Sequence, residues 1–327
     1  MDSTKTAKLP SVRITDLTKK YEERICVDKL NIEIMPGEIY SLLGENGAGK
    51  TTTINMLTTL IKPTSGSFYL SNFDGLKDRE KIKGVFGVVS QDVAIYQELT
   101  AFENLYFLGQ MYGIKKQELY NRITKLLQDA NLLNRANDLV GNFSGGMQRK
   151  LTIAMAMLNK PKILFMDEPT VGLDPKSRRQ IWQTLKQLQE SGITILLTTH
   201  YLDEAQALSN RIGIIREGKL IVEGNIDYLR DKIHAVSNIM LKFIDHNNLE
   251  KFKKLFQDSS ILKLSPVKHD EIQDSVMIKT PKNISLDEFF NILYKLLADN
   301  NISYSYFSVL EPNLEDIFIA ITELENP

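Results

Sequence analysis

The sequence predicts an α/β fold built on a parallel β-sheet, followed by a smaller α+β module. Short runs of consecutive apolar residues indicate buried strands, and stretches with helical periodicity separate them without hairpin turns. A strand, a helix and a second strand in succession form a parallel pair with a crossover helix. After about Tyr228 the pattern changes to β-α-β-β-α-β, the order of a ferredoxin-like module.

Length and composition limit the possible classes of protein. The chain of 327 residues has room for two or three domains of about 100–150 residues, and its net charge of −1 argues against a protein that coats nucleic acid electrostatically. The single cysteine, Cys26, excludes an internal disulfide and suits a reducing compartment. The first residues, MDSTKTAKLP, lack the apolar core of a secretory signal, and no stretch approaches the roughly 18–20 consecutive apolar residues of a membrane span. We therefore expect a chain that does not cross a membrane unaided.

The first part of the chain predicts a small antiparallel sheet and then the start of the parallel sheet. From Ser11 to about Ile34, apolar and polar residues alternate, as they do in half-exposed strands. The run IYSLL (Ile39–Leu43) predicts a fully buried strand, and TTTINMLTTLI (residues 51–61) predicts a helix. Pro63–Gly66 predicts a turn, and VFGVVS (Val85–Ser90) predicts another buried strand.

The middle of the chain predicts an all-helical insertion. Between about Glu98 and Lys160 the periodicity is helical. Buried strands return in KILFMD (Lys162–Asp167) and ITILLTT (Ile193–Thr199), and the helix SRRQIWQTLKQLQE lies between them.

The module after Tyr228 predicts alternating strands and helices. Its strands are NIMLKFI, ILKLSPV, DSVMIKT and ISYSYFSVL. Its helices are NNLEKFKKLF, SLDEFFNILYKLLAD and NLEDIFIAITEL, of which the last is an addition to the ferredoxin-like pattern.

A glycine-rich stretch follows the first buried strand and precedes a helix. Residues Gly44 to Thr51 fit the phosphate-binding pattern G-x-x-x-x-G-K-[ST]. Without side chains, Gly47 and Gly49 let backbone N–H groups turn towards anionic oxygens, and the helix start adds a partial positive charge. We expect Lys50 to reach the β- and γ-phosphates and the Thr51 hydroxyl to bind Mg²⁺. A plain glycine-rich turn is the alternative, and the strand and helix on either side favour the phosphate loop.

Two adjacent carboxylates, Asp167 and Glu168, follow the apolar run ILFM. Successive residues of a strand point to opposite sides, so the two acids can have different roles. We expect Asp167 to hold the hydration shell of Mg²⁺ and Glu168 to polarise an attacking water as a general base. Alone, the pair could equally be a solvated strand end, but a phosphate loop in the same chain favours catalysis.

A third element decides which family the sequence resembles. In FSGGMQRK, Ser144 is a predicted N-cap, and Gly145 and Gly146 leave the helix start open to an anion. Alone, these residues could be an ordinary helix start. Together with the other two motifs they resemble the nucleotide-binding domain of ABC transporters, in which an S-G-G element shortly precedes the DE-bearing strand. The resemblance covers about residues 11–229.

The resemblance implies roles for residues whose types alone indicate little. Tyr21, otherwise an edge-strand tyrosine, would stack on adenine. Gln91 would sense Mg²⁺ and the γ-phosphate and link to the helical insertion. Asp174, in VGLD, would lie in the loop that crosses between subunits. His200, otherwise a structural histidine at a strand end, would contact the γ-phosphate.

The sequence departs from the family pattern in one motif. The family usually has L-S-G-G-Q, whereas this chain has Phe143 and Met147 at the flanking positions. A methionine cannot reproduce the hydrogen bonds of an amide, so any role of the fifth residue is in doubt. Similar variants are familiar among exporters of the ABC-2 type, and EPNLEDIFIAITE (Glu311–Glu323) resembles the closing element of their drug-resistance ATPases; a plain amphipathic helix is the alternative.

The predicted site has three sets of residues. The catalytic residues are Glu168, His200 and Lys50. The ATP-binding residues are Tyr21, Gly44, Asn46, Gly47, Gly49, Lys50, Thr51, Thr52, Gln91, Ser144, Gly145, Gly146 and Asp174. The Mg²⁺ ligands are Thr51, Gln91 and Asp167.

The resemblance also implies how these residues work together. In one chain the phosphate loop and the S-G-G element should be too far apart to grip one ATP. A head-to-tail pair of domains would sandwich each nucleotide between the loop of one chain and the S-G-G of the other. Glu168 would direct water at the γ-phosphorus while His200 and Lys50 stabilise the developing charge. This chain carries one set of motifs, so two chains are needed.

The expected architecture is a P-loop NTPase core with an N-terminal antiparallel β subdomain, an inserted helical subdomain and a C-terminal ferredoxin-like module. The ATPase domain is expected at 11–229, with its insertion at about 98–160, and the accessory domain at 230–327. The expected function is the ATP-hydrolysing motor of an exporter on the cytoplasmic face of the cell membrane. Its partners would be a transmembrane permease and a second ATPase subunit, without nucleic acid. The alternative is a non-transport ABC ATPase acting on nucleic acid or ribosomes, but the coiled coils, second ATPase domain or basic arms typical of such proteins are not visible.

Overall fold

The computed structural model describes residues 9–92, 94–232, 238–258, 267–270, 274–280, 285–310 and 313–324. The chain divides into two compact units, Met1–Ile226 and Asp227–Pro327. Among the helices in the described ranges, none combines the length and apolar character needed to cross a bilayer.

The strands of the first unit form two sheets. In chain order they are β1 (Val12–Tyr21), β2 (Arg24–Ile34), β3 (Ile39–Leu43), β4 (Ser65–Leu70), β5 (Phe73–Asp74), β6 (Phe86–Val89), β7 (Ile163–Asp167), β8 (Thr194–Thr199), β9 (Arg211–Arg216) and β10 (Lys219–Gly224). One sheet is antiparallel with the order β2-β1-β4-β5. The other has the order β10-β9-β3-β8-β7-β6 and is parallel except for its edge strand β10. These sheets confirm the predicted antiparallel subdomain and the parallel core.

The helices of this unit, in chain order, are α1 (Lys50–Leu57), α2 (Arg79–Lys83), α3 (Ala101–Met111), α4 (Lys116–Asp129), α5 (Gly145–Ala156), α6 (Pro175–Glu190) and α7 (Leu202–Leu208). A further helix, α8 (Ile226–Lys232), begins at the boundary between the units. The helix predicted for residues 51–61 ends earlier, at Leu57, because Thr59 adopts a left-handed conformation with φ 61°.

The helical insertion has a hydrophobic core of its own. Its buried residues include Leu105 of α3, Leu119, Ile123 and Leu127 of α4, Leu151 of α5, and Leu158, which follows α5. Helix α5 also has a second buried side, where Ile153 packs with Leu164 and Met166 of β7. One helix therefore belongs to the core of the insertion and to the core of the parallel sheet.

The second unit has the strand order of a ferredoxin-like module. Its elements are β11 (Asn238–Phe243), α9 (His246–Asp258), β12 (Val267–Asp270), β13 (Ser275–Lys279), α10 (Leu286–Asp299), β14 (Tyr304–Leu310) and α11 (Leu314–Leu324). The strands are antiparallel with the order β12-β13-β11-β14, and residues of β11, α9 and α10 form one core. Most of the predicted strand ILKLSPV lies outside the described residues, as do the first two residues of EPNLEDIFIAITE.

Candidate active site

A cavity of about 490 Å³ lies beside the carboxyl ends of β3, β7 and β8. It brings together predicted site residues from four separate segments. These are Asn46, Gly47, Gly49, Lys50, Thr51, Thr52, Gln91, Glu168 and His200. Crevices at the carboxyl ends of parallel strands are where such sheets bind ligands.

The glycine-rich loop takes the backbone conformation that its sequence allows. All five residues of β3 are buried, and the chain leaves the sheet at Gly44. Gly47 and Gly49 have φ values of 84° and 106°, in the region that favours glycine. Gly49 caps α1 without a side chain, so the first N–H groups of the helix are open to an anion.

Lys50 is a buried cation at the bottom of the cavity. Its side chain is only 4% exposed, and Nζ donates to the carbonyl oxygens of Gly44 and Glu45 at 2.8 and 3.0 Å. Nζ also lies 3.4 Å from Oε1 of Glu168. The opposite charge and the two carbonyls compensate for the water that the ammonium group has lost.

Glu168 follows β7 in a left-handed conformation with φ 47°. This conformation costs a non-glycine residue about 1–3 kcal/mol. Its N–H donates to the carbonyl and hydroxyl oxygens of Thr198, each at 3.1 Å, and its Oε1 lies 3.2 Å from Nδ1 of His200. The carboxylate is thus held between Lys50 and His200.

Asp167, the last residue of β7, directly precedes Glu168. It is buried and does not line the cavity. Its Oδ1 accepts a hydrogen bond from the Thr198 hydroxyl at 2.5 Å. Thr198 therefore contacts both acids of the pair, through its side chain and its main chain. The two adjacent acids therefore have different surroundings, since Glu168 lines the cavity and Asp167 does not.

Besides Gly44 and Asp167, which lie near lining residues in sequence, five predicted residues do not line this cavity, namely Tyr21, Ser144, Gly145, Gly146 and Asp174. Ser144 caps α5 by accepting from the N–H of Met147 at 3.3 Å, and Asp174 caps α6 by accepting from Lys176 and Ser177, each at 3.0 Å. Hydrogen bonds from Ser177, through its side chain and then its backbone, lower the pKa of Asp174.

The starts of α5 and α6 adjoin each other. A Cβ atom on Gly146 would lie 2.6 Å from Oγ of Ser177, so only glycine fits between the two helices. The neighbouring Gly145 is exposed, as is Tyr21 at the end of β1, over whose ring the ammonium group of Lys19 lies at 4.7 Å from the centroid. The structure thus brings the Ser144 segment close to α6, but not into the cavity of its own chain.

Several buried polar residues near the site were not predicted from the sequence. One is Thr198, which contacts Asp167 and Glu168, and another is Arg149 of α5, which donates to two carbonyl groups of the Ser90–Gln91 segment. Glu204 of α7 is fully buried, and burial raises its pKa. The sequence around Arg149 does indicate that this residue has a partner, because a charged residue in the apolar helix GGMQRKLTIAMAML needs one when it is buried.

Glu204 joins three elements around the site. Its Oε1 accepts from the Thr170 hydroxyl at 2.8 Å and from Nε1 of Trp182 at 3.1 Å. Thr170 lies two residues after Glu168, and Trp182 lies on α6. The buried carboxylate therefore links the segment after β7 to α6 and to the helix that follows His200.

Substitution of Gly49 by alanine should destabilise the fold more than the same change at Gly47. A Cβ atom on Gly49 would lie 2.4 Å from the carbonyl oxygen of Cys26, whereas one on Gly47 would meet nothing within 4 Å. Both positions carry the left-handed penalty, so we expect a loss of about 1 kcal/mol for Gly47→Ala and about 3 kcal/mol or more for Gly49→Ala. Denaturant unfolding without nucleotide measures both values, and equal losses would contradict the close approach to Cys26.

Comparisons with known proteins agree with this arrangement. The family model described as "ABC transporter" matches residues 27–171. The linearmycin resistance ATP-binding protein LnrL of Bacillus subtilis is 36% identical over 310 residues, which are 94% of this chain and 96% of that protein. The bacitracin transport ATP-binding protein BcrA of Bacillus licheniformis is 35% identical over 312 residues, 95% of this chain and 96% of that protein. The daunorubicin/doxorubicin resistance ATP-binding protein DrrA of Streptomyces peucetius is 32% identical over 316 residues, 95% and 92% of the two chains.

Solved structures show the same similarity for about two thirds of the chain. A dimeric ATP-binding cassette in a post-hydrolysis state with ADP and Pi is 34% identical, with a TM-score of 0.59 over 66% of this chain and 98% of that one. An ATP-binding subunit of an ABC transporter is 28% identical, with a TM-score of 0.61 over 68% and 92% of the two chains.

Proposed function

The chain belongs to the ABC transporter family as one of its ATP-hydrolysing subunits, and we propose that it drives export through a membrane protein on a separate chain. The observation that carries this proposal is the cavity in which a phosphate loop, Lys50, Glu168 and His200 meet. Three relatives are named for resistance to, or transport of, an antibiotic. Export of a harmful small molecule fits those names, and the membrane chain would select the molecule.

The proposed chemistry is attack of water on the γ-phosphorus of ATP, which breaks the bond from that phosphorus to the bridging oxygen and releases ADP and phosphate. The amide groups of the loop and the ammonium group of Lys50 would hold the phosphates and stabilise the charge that develops on them. Glu168 would orient the water and accept its proton. His200, 3.2 Å from that carboxylate, would fix the position of Glu168 relative to the γ-phosphate. The left-handed backbone of Glu168 directs its carboxylate into the cavity.

The predicted Mg²⁺ ligands have the right chemistry for this ion. Thr51 and Gln91 line the cavity, and Asp167 ends the neighbouring strand with an oxygen already fixed by Thr198. All three supply oxygen donors, which Mg²⁺ prefers. When bound, Mg²⁺ would neutralise charge on the β- and γ-phosphates.

We propose that two chains share each nucleotide in a head-to-tail dimer. Ser144, Gly145 and Asp174 do not line the cavity of their own chain, yet they lie at exposed starts of α5 and α6. A helix start with open N–H groups is suited to the γ-phosphate of a nucleotide bound to a partner. The matched cassette that is dimeric supports this proposal.

A second cavity is suited to the membrane partner. It measures about 530 Å³ and lies between β6, α3 and α5, with Leu60 and Tyr112 on its lining. Large apolar side chains are exposed at and near it, namely Leu60, Tyr96, Phe107, Met111 and Tyr112. Exposed apolar residues concentrated in this way mark interaction sites. We propose that a cytoplasmic segment of the permease docks here, which keeps the ATPase on the cytoplasmic face of the membrane.

Leu60→Glu should weaken the association with the membrane protein without stopping ATP hydrolysis. Leu60 is 73% exposed, so the charge costs the free chain little, but it would be buried in the complex. We expect at least about tenfold less co-purified membrane protein in mild detergent, and ATP turnover of the isolated chain within about twofold of the original.

Leu133→Glu is the matched control, because Leu133 is an exposed leucine of the insertion that does not line the cavity. Undiminished co-purification of Leu60→Glu, or an equal loss with Leu133→Glu, would contradict the docking site. If no membrane protein accompanies the unmodified chain, the export proposal itself is wrong.

A further inference from the structure

Arg149 is the most deeply buried arginine beside the active site. It is only 3% exposed and lies on α5, five residues after the Ser144 cap. Its Nη1 donates to the carbonyl oxygen of Ser90 at 2.7 Å, and its Nη2 donates to that of Gln91 at 3.0 Å. The planar guanidinium group thus holds two consecutive carbonyls, which lysine cannot do in the same geometry.

The charges around Arg149 come from the catalytic region. Burial lowers its pKa, and the negative charges of Glu204 and Asp167 act in the opposite direction. Burying a charge in this way contributes little net stability, because the lost hydration offsets the attraction. Ser90 and Gln91 are themselves exposed, so water could satisfy their carbonyl groups instead. Arg149 is therefore better explained by the position in which it holds the Ser90–Gln91 main chain than by the stability that it adds.

The segment that Arg149 holds is part of the nucleotide cavity, since Gln91 lines it. The helix that carries Arg149 begins at Ser144, and it packs on the parallel sheet through Ile153 and in the insertion through Leu151. Because an α-helix rises by about 1.5 Å per residue, Arg149 lies only a short distance along the same rigid helix from its start at Ser144. Through Arg149, this helix connects the Gln91 main chain to the exposed helix start at Ser144.

We propose that Arg149 is a positioning residue that clamps the Gln91 main chain to α5, so that nucleotide bound in one chain sets the orientation of the helix start offered to the other chain. The inference rests on the proposed two-chain function and adds the residue through which the two halves of the composite site are coupled. Arg149 itself need not touch ATP.

Replacement of Arg149 tests the clamp through the difference between kcat and KM. Arg149→Met removes both hydrogen bonds, and we expect kcat to fall by about tenfold or more while KM for ATP changes by less than about threefold. Arg149→Lys keeps the charge that faces Asp167 and Glu204 but cannot make both hydrogen bonds. Its kcat should therefore lie between that of Arg149→Met and that of the original chain. A kcat within about twofold of the original in both variants would overturn the proposal.

Arg122→Met is the matched control. Arg122 of α4 is also a mostly buried arginine of the insertion, and its Nη1 donates to the carbonyl oxygen of Leu158 at 2.6 Å while Nη2 pairs with Glu118. It lies outside the nucleotide cavity. We expect its removal to lower the thermal midpoint of unfolding without changing kcat. A fall in kcat equal to that of Arg149→Met would show that loss of any buried arginine of the insertion slows turnover, which would contradict a specific role of Arg149.

A double-mutant cycle separates coupling from a general structural effect. If Arg149 acts through Gln91, then Gln91→Ala combined with Arg149→Met should be no slower than the slower single variant. If the fold-losses in kcat of the two single variants multiply in the double variant, the proposed role of Arg149 is wrong. In the Glu168→Gln background, Arg149→Met should also prevent the accumulation of ATP-bound dimers at ATP concentrations that saturate the monomer, as measured by size-exclusion chromatography.

These outcomes are distinguishable from failure of the proposed function. If Glu168→Gln forms no ATP-dependent dimers even with Arg149 present, the two-chain proposal fails. If it forms them equally well with and without Arg149, only the clamp fails.

Discussion

Glu168→Gln is expected to reduce ATP turnover by about 10²–10⁴-fold while ATP binding persists. The substitution keeps the size of the side chain and removes the charge that makes it a base. Lys50 and His200, at 3.4 and 3.2 Å from the carboxylate, would still have an oxygen to contact. Without hydrolysis, ATP would continue to join two chains, so dimers should accumulate. Turnover assays, equilibrium nucleotide binding and size-exclusion chromatography measure the three effects.

Glu190→Gln makes the same chemical change at an exposed position at the end of α6 and serves as the control. Its turnover should equal that of the original chain. Near-normal hydrolysis by Glu168→Gln would remove this residue from its proposed role, and a collapse of ATP binding would mean that the carboxylate supports the loop rather than the reaction.

Ser144→Arg is expected to stop hydrolysis, by about 10²-fold or more, without weakening the binding of ATP to a single chain. Ser144 lies at an exposed helix start outside the cavity, so the long cation should not disturb the phosphate loop of its own chain. It would occupy the place where the partner's nucleotide is proposed to meet the N–H groups of α5. Titration of monomers with ATP, together with turnover at high protein concentration, distinguishes the two effects.

Ser285→Arg is the matched control for this variant. Ser285 caps α10 in the second unit by accepting from the N–H of Glu288 at 3.2 Å, as Ser144 does for Met147. Each substitution should cost about 1 kcal/mol from the lost cap, but only Ser144→Arg should stop turnover. Loss of monomer affinity in Ser144→Arg would refute the assignment of this helix start to a partner's nucleotide.

The elements that the sequence predicted well are those whose signal is local. The buried strand at Ile39–Leu43 and the strand that ends in Asp167 consist of consecutive apolar residues, and every residue of both is buried. The glycine-rich loop could be recognised because a left-handed backbone requires glycine at particular positions. Lys50 and Glu168 could be predicted from such local motifs, whereas the role of His200 was implied only by the family resemblance.

Features that depend on residues distant in sequence were missed. The antiparallel pair β9–β10 completes the edge of the parallel sheet, and its short strands carry no motif. Arg149 meets its partners 59 and 58 positions away, and Thr198 meets Asp167 across 31 positions. Neither pairing could be deduced without the fold, because spacing along one helix or one strand does not determine which loop lies opposite. The overlong helix prediction at residues 51–61 failed for a local reason, since periodicity cannot anticipate a positive φ at Thr59.

The hydrogen bond between Trp182 and Glu204 has a practical consequence. Trp182 is the only tryptophan in the 327 residues, and it shares its carboxylate acceptor with Thr170, two positions after the proposed base. The protein therefore carries an intrinsic fluorophore whose indole senses the polarity beside the catalytic strand. Its emission is a label-free probe of that region in the unmodified molecule.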